Sequence, residues 1–151
     1  MIHFDIQKAY SQSIDKKRLN LVILTALEFE KVSDEVEVTL VVTGDEQIQE
    51  LNLEYLGVDD TTDVLSFPSD EIDPDSGFRY LGDIILSYPR AAEQARTSGH
   101  PLSAELELLI VHALLHLLGY DHADPIGKTK MWASQTSILT KLETPLKIFP
   151  E

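Results

Sequence analysis

The stretch SAELELLIVHALLHLLGYDH, residues 103–122, reads as a helix apolar on almost every side that nevertheless carries imidazoles at His112 and His116, with a third at His122 just past Gly119. Such a helix is built for burial. Its polar interior positions need a reason, because a buried polar group left without a partner costs about 1–3 kcal/mol. Ser103 is a suitable N-cap, and Glu105 and Glu107 fall near the positive end of the helix.

On the N-terminal side, MIHFDI (1–6) alternates as a first strand, and apolar residues at 14, 19, 22, 23, 26 and 27 predict a helix from Ile14 to about Phe29. EVEVTLVV, Glu35 to Val42, is alternating and β-branched, as a strand requires. Thr43-Gly44-Asp45-Glu46 fits a capping box, and the helix it opens stops at Gly57. TDVLSFP (62–68) is a short strand halted by Pro68, DEIDPDSG (70–77) a solvated acidic loop, and RYLGDIILS (79–87) a further strand. Ser87-Tyr88-Pro89 starts a helix that ends near Gly99, and Asp124-Pro125 caps a last helix carrying Trp132. The order β-α-β-α-β-β-α-α-α, with hairpin-like spacing in the middle, predicts an α+β fold: one small mixed β-sheet covered by helices. No repeat or linker divides residues 1–151, which read as a single domain.

Composition narrows the function. Without cysteine there is neither a disulfide framework nor a thiolate site, so any metal must sit on nitrogen and oxygen. No apolar run reaches the ~18–20 residues of a membrane span, and the N-terminus lacks a secretory signal, so no membrane partner is expected, and a cytoplasmic location is compatible with this. Twelve basic against twenty-six acidic residues leave a formal charge of −14. That is the wrong sign for gripping nucleic acid over a broad basic surface, and DNA is not expected as a partner.

His112 and His116 are four apart and share a helix face. A continued helix would turn His122 about 120° away from it. Gly119 removes the mismatch, because a glycine there can end the helix in the left-handed conformation and fold the chain back. Three neutral imidazoles converging at ~2.0–2.1 Å make a zinc site with a free fourth position. The zinc site is therefore expected on the long helix and the loop after it. The spacing also resembles the metzincin protease signature HExxHxxGxxH, except that Ala113 stands where those enzymes keep a general-base glutamate. Alanine cannot take a proton, so peptidase chemistry by that route is disfavoured.

Together, LNLEYLGVDDTTDVLSFP (51–68), LGDIILS (81–87) and VHALLHLLGYDH (111–122) resemble the YbeY family of bacterial endoribonucleases, most closely over residues 45–122. The resemblance implies zinc ligands at His112, His116 and His122, one zinc ion as cofactor, and a cytoplasmic location. It also implies single-strand-specific endoribonuclease activity in ribosomal RNA maturation and ribosome quality control, in association with the small ribosomal subunit and its proteins. Two departures stand out. Ala113 follows the first ligand where the family usually has glycine, and Leu56 follows Asn52-Leu53-Glu54-Tyr55 where the family has an arginine that lines its cleft. Leucine cannot hold phosphate in the bidentate, charge-assisted way of arginine. Arg79 and Arg90 are the candidates to replace it.

Asp121, beside a ligand, is a candidate general base, an orienter of an imidazole or a turn residue; Glu105, two turns before His112, is a candidate base or a helix-terminus charge; Asp83 is expected to brace the cleft or to satisfy backbone groups. With so acidic a chain, targeting through protein partners on the ribosome is expected, with weak affinity for naked RNA. The alternative is a ribosome-assembly factor that binds without cutting and keeps a structural zinc; a metallohydrolase of peptides or small molecules ranks third.

Overall fold

The computed structural model describes residues 1–33 and 35–146; residues 34 and 147–151, part of the expected domain, lie outside the described residues. Four strands, β1 (Ile2–Ile6), β2 (Val36–Thr43), β3 (Val64–Pro68) and β4 (Arg79–Ser87), form one sheet in the order β1-β2-β4-β3. β1, β2 and β4 run parallel, and β3 pairs antiparallel with β4, Val64 opposite Leu86 and Pro68 opposite Gly82. The expected mixed sheet of an α+β fold is therefore present, with the hairpin-spaced strand at its free edge.

Five helices follow the expected order: α1 (Lys16–Phe29), α2 (Asp45–Leu56), α3 (Tyr88–Ser98), α4 (Leu102–Leu117) and α5 (Pro125–Lys141). A 3-10 segment over Lys8–Ser13, not foreseen from the pattern, links β1 to α1. One sheet face carries the main core. Val38, Leu40 and Val42 of β2 and Ile84 and Leu86 of β4 pack there with Val22 and Ile23 of α1, Ile110 and Leu114 of α4, and Met131 and Ile138 of α5. The opposite face holds a smaller cluster, Ile48 of α2 with Leu65 and Ile85. A bulge between Glu37 and Val38 resets the register, so Leu81 and Ile84 both reach the main core.

α4 lies in the middle of this layer and buries ten residues, among them Leu109, Ile110, Val111, Leu114 and Leu115. Its acids are drawn inside as well. Glu107 accepts from Arg18 Nη2 at 2.8 Å and from Thr144 Oγ1 at 2.7 Å, while Glu105 lies 2.7 Å from His100 Nε2. Two expected caps are corrected. The cap of α4 is Pro101 rather than Ser103, because the fixed φ of proline (−61°) presets the entry and Ala104 N–H already bonds to the Pro101 carbonyl. The cap of α2 is Gly44; the Thr43 hydroxyl, buried, turns instead to the side chains of Gln7 and Gln47, and no capping box forms.

Candidate metal centre

α4 ends at Leu117, and Gly119 takes φ +101°, so the chain reverses and brings His122 back over the end of the helix. The ligand nitrogens of His112, His116 and His122 lie within 4.8 Å of one another. The Nε2 atoms of His112 and His116 are 3.2 Å apart. Tetrahedral coordination at 2.0–2.1 Å separates neighbouring donors by about 3.3–3.4 Å.

The other ring nitrogens are held by the protein. His112 Nδ1 donates to Gln135 Oε1 at 3.0 Å, and His116 Nδ1 donates to the Tyr120 carbonyl at 3.0 Å. With both Nδ1 atoms protonated, both Nε2 atoms carry lone pairs aimed at the same point. Two acceptors that close repel unless a proton or a cation lies between them, and holding Nδ1 in this way is how proteins orient metal-binding imidazoles. Burial pushes the pKa of His112 and of His116 below the ordinary 6.5, which favours the neutral, coordinating form. Three nitrogens without thiolate suit a borderline divalent ion such as zinc. The donor set and its orientation fit the expected ion.

Trp132 of α5 closes one side of the group, its ring 5.5 Å from His112 and 5.7 Å from His122 between centroids. The other side is open, with His122 itself exposed. There the imidazoles line a cleft of about 450 Å³ together with Leu56, Asp63, Val64, Leu65, Ser66 and Pro68. The edge strand β3 is thus one wall, tied to α4 by the Ser66 hydroxyl, which donates to the Ala113 carbonyl at 3.1 Å. A larger cavity of about 700 Å³ lies between the C-terminal end of α1 and the strands β1 and β2, and the histidines take no part in it.

The remaining candidates are scattered. Arg79 opens β4 beside Val36 and Ile72, far along the strand from the end that pairs with Val64. Arg90 of α3 lines a separate pocket with His100 and Glu105. Neither lies in the cleft lining, against the expectation that one of them supplies a cation there, and Leu56, 55% exposed, stands at the lip. Glu105 is corrected as a base candidate: it is buried in a bond to His100 at the other end of α4. Asp83 is occupied by the hydroxyl of Tyr80, whose pKa burial and Asp83 push up to about 12. Asp121 accepts from Ala123 N–H at 3.1 Å, a turn contact.

Three residues that the sequence pattern did not single out do belong here. Asp63 is the carboxylate of the cleft lining; its Oδ1 accepts from Val64 N–H at 2.7 Å and its Oδ2 from Gln94 Nε2 at 3.4 Å. Ser66 lies beside it, and Gln135, 1% exposed, holds His112 from α5. A polar residue on the buried face of an otherwise apolar helix stripe was the available signal for Gln135.

By class this is a small α+β protein built around a three-imidazole, metal-type centre in an open cleft. Relatives give the class a family. The chain belongs to the YbeY family, whose model, described as Endoribonuclease YbeY, matches residues 3–143. It is 48% identical over 128 residues to the Endoribonuclease YbeY of Moorella thermoacetica, covering 80% of this chain and 82% of that protein. The protein of the same name from Brevibacillus brevis is 41% identical over 157 residues, covering 94% and 98%. A solution structure of TM1509 from Thermotoga maritima is similar with a TM-score of 0.64 at 27% identity, covering 94% of this chain and 89% of that one.

Proposed function

We infer that the protein is a zinc-dependent endoribonuclease that cuts single-stranded ribosomal RNA during its maturation and in ribosome quality control, working on the small ribosomal subunit in the cytoplasm. The observation that carries this reading is the convergence of His112, His116 and His122 on one point of an open cleft, in a chain whose relatives are named endoribonucleases. His112, His116 and His122 would hold one zinc ion, with Gln135 and the Tyr120 carbonyl fixing two of the rings. Bound zinc supplies Lewis acidity at a phosphoryl oxygen and lowers the pKa of water. Asp63 offers the cleft's carboxylate, placed to orient a hydroxyl or water of the substrate and held by Val64 N–H and Gln94.

The charge of −14 opposes diffuse RNA binding. Exposed charges more than ~8 Å away are screened at physiological salt, so a local cation in the cleft decides whether a phosphate can enter. Protein partners on the ribosome then supply the targeting. Zinc-loaded protein is expected to cut ribosomal RNA within unpaired segments, and a chelator or His112→Ala is expected to abolish the cuts. Cleavage that survives His112→Ala would overturn the reading. A non-cutting assembly factor with a structural zinc is the second reading. It is favoured by Leu56 and by the lack of Lys or Arg among the described residues that line the cleft; bound zinc, ribosome association and intact RNA together would establish it.

A further inference from the structure

We propose that the backbone N–H of Ser66, on the free edge of β3, is the donor that receives a non-bridging oxygen of the scissile phosphate, taking over the role that a cation at position 56 would fill. This rests on the endoribonuclease reading and adds a residue to it.

The register carries the argument. Ser87 N–H donates to the Asp63 carbonyl at 2.9 Å, and Ser69 N–H to the Leu81 carbonyl at 2.9 Å. In an antiparallel ladder, residues that bond to the partner alternate with residues whose N–H and C=O point away. Positions 63, 65, 67 and 69 therefore face β4, while Val64, Ser66 and Pro68 direct their backbone outward. β3 is the last strand of the sheet, so among the described residues no strand pairs with that edge.

The donors of β3 can be followed one at a time. Val64 N–H is taken by Asp63 Oδ1 at 2.7 Å, which confirms that it points outward. The N–H groups of Leu65 and Phe67 face β4 and are spent on it. Pro68 has no N–H. The Ser66 hydroxyl is spent on the Ala113 carbonyl. Ser66 N–H is left, in a strand that lines the histidine cleft. An anion in this cleft meets the apolar Leu56 and the carboxylate of Asp63, so a backbone donor beside the imidazoles is what the wall offers it. Backbone N–H groups preset in one direction are effective partners for phosphate and for charge that builds during reaction.

The outward direction of this N–H makes it removable. Proline is tolerated on an edge strand where the N–H faces away from the sheet. Ser66→Pro deletes the donor and the hydroxyl; Ser66→Ala deletes the hydroxyl alone. With zinc-loaded full-length protein, Ser66→Pro is expected to lower kcat/KM on single-stranded RNA about 10- to 100-fold relative to Ser66→Ala, with zinc content equal in both. A direct readout does not need turnover or a variant that folds. In wild-type zinc-loaded protein the Ser66 amide proton is expected to move downfield on adding a diribonucleoside monophosphate, and much less with its uncharged methylphosphonate analogue. Equal response to the two probes, an unmoved amide, or a shift induced by an extended peptide instead would overturn the proposal. If wild-type protein fails to cut RNA while the amide still answers the phosphodiester, the endoribonuclease reading falls and the phosphate site stands; if wild type and Ser66→Pro cut equally, the reverse holds.

Discussion

Gln135 Oε1 accepts the Nδ1 proton of His112 at 3.0 Å, reaching across from α5 to a ring on α4. The side chain is 1% exposed, so no solvent replaces it if it is removed. Gln135→Met, close in volume, should leave His112 free to rotate or to carry its proton on Nε2. Zinc affinity is expected to fall about 10–100-fold, the usual loss for such a supporting contact. Competition against a chromophoric chelator measures it, and an unchanged affinity would mean that Gln135 only fills space.

The chain has one tryptophan, and it stands against the centre: Trp132 packs edge-on to His112 and His122. Intrinsic fluorescence is therefore a private reporter of the three rings. Zinc should change its intensity saturably with one equivalent, and copper or cobalt should quench it. His122→Ala should weaken that response without moving the fold. An emission that ignores one equivalent of every divalent ion would place the binding elsewhere.

Burial holds His112 and His116 in their neutral forms by lowering both pKa values below 6.5. As the pH falls through 6.5, the unfolded chain takes up protons at these rings while the folded chain does not. The two rings therefore contribute stability above the unfolded pKa that is lost as the pH drops toward their folded values. In metal-free protein, NMR titration of the ring protons is expected to place both below 6.5. Zinc affinity should decline over the same acid range, because protons then compete for Nε2. A ring titrating above 6.5 would show that burial does not govern it.

Much of this centre is local in sequence, which is why it could be read there. His112 and His116 follow from a helical period, and the return of His122 follows from the freedom of Gly119. What escaped were contacts made by tertiary packing. Gln135 meets His112 only because α5 lies along α4, and Asp63 reaches the cleft only because β3 takes the edge of the sheet rather than its middle. The α+β order was legible from alternation and caps, but two caps were not. Ser103 and Thr43 had the right chemistry in isolation; Pro101 at one helix entry, and Gln7 and Gln47 around Thr43 at the other, made different use of the chain.

The loop that carries His122 is seated on the first turn of α5 at Gly127. A Cβ built on Gly127 would lie 2.5 Å from the Asp121 carbonyl oxygen and 3.2 Å from Asp124 Oδ1, which caps the helix by accepting Gly127 N–H at 2.6 Å. Backbone cannot yield at that distance without the loop moving. Gly127→Ala should therefore lift residues 121–124 from α5, displacing His122 while His112 and His116 keep their places on α4. A gain in helix propensity of about 1 kcal/mol opposes the clash, which costs about 1–3 kcal/mol, so the melting temperature should change little or fall. Zinc affinity should fall clearly, since one of three ligands is moved and the other two are not. Chelator competition and thermal melts on the same preparation separate the two effects. Affinity equal to wild type would mean that the loop is positioned by something other than its contact with Gly127.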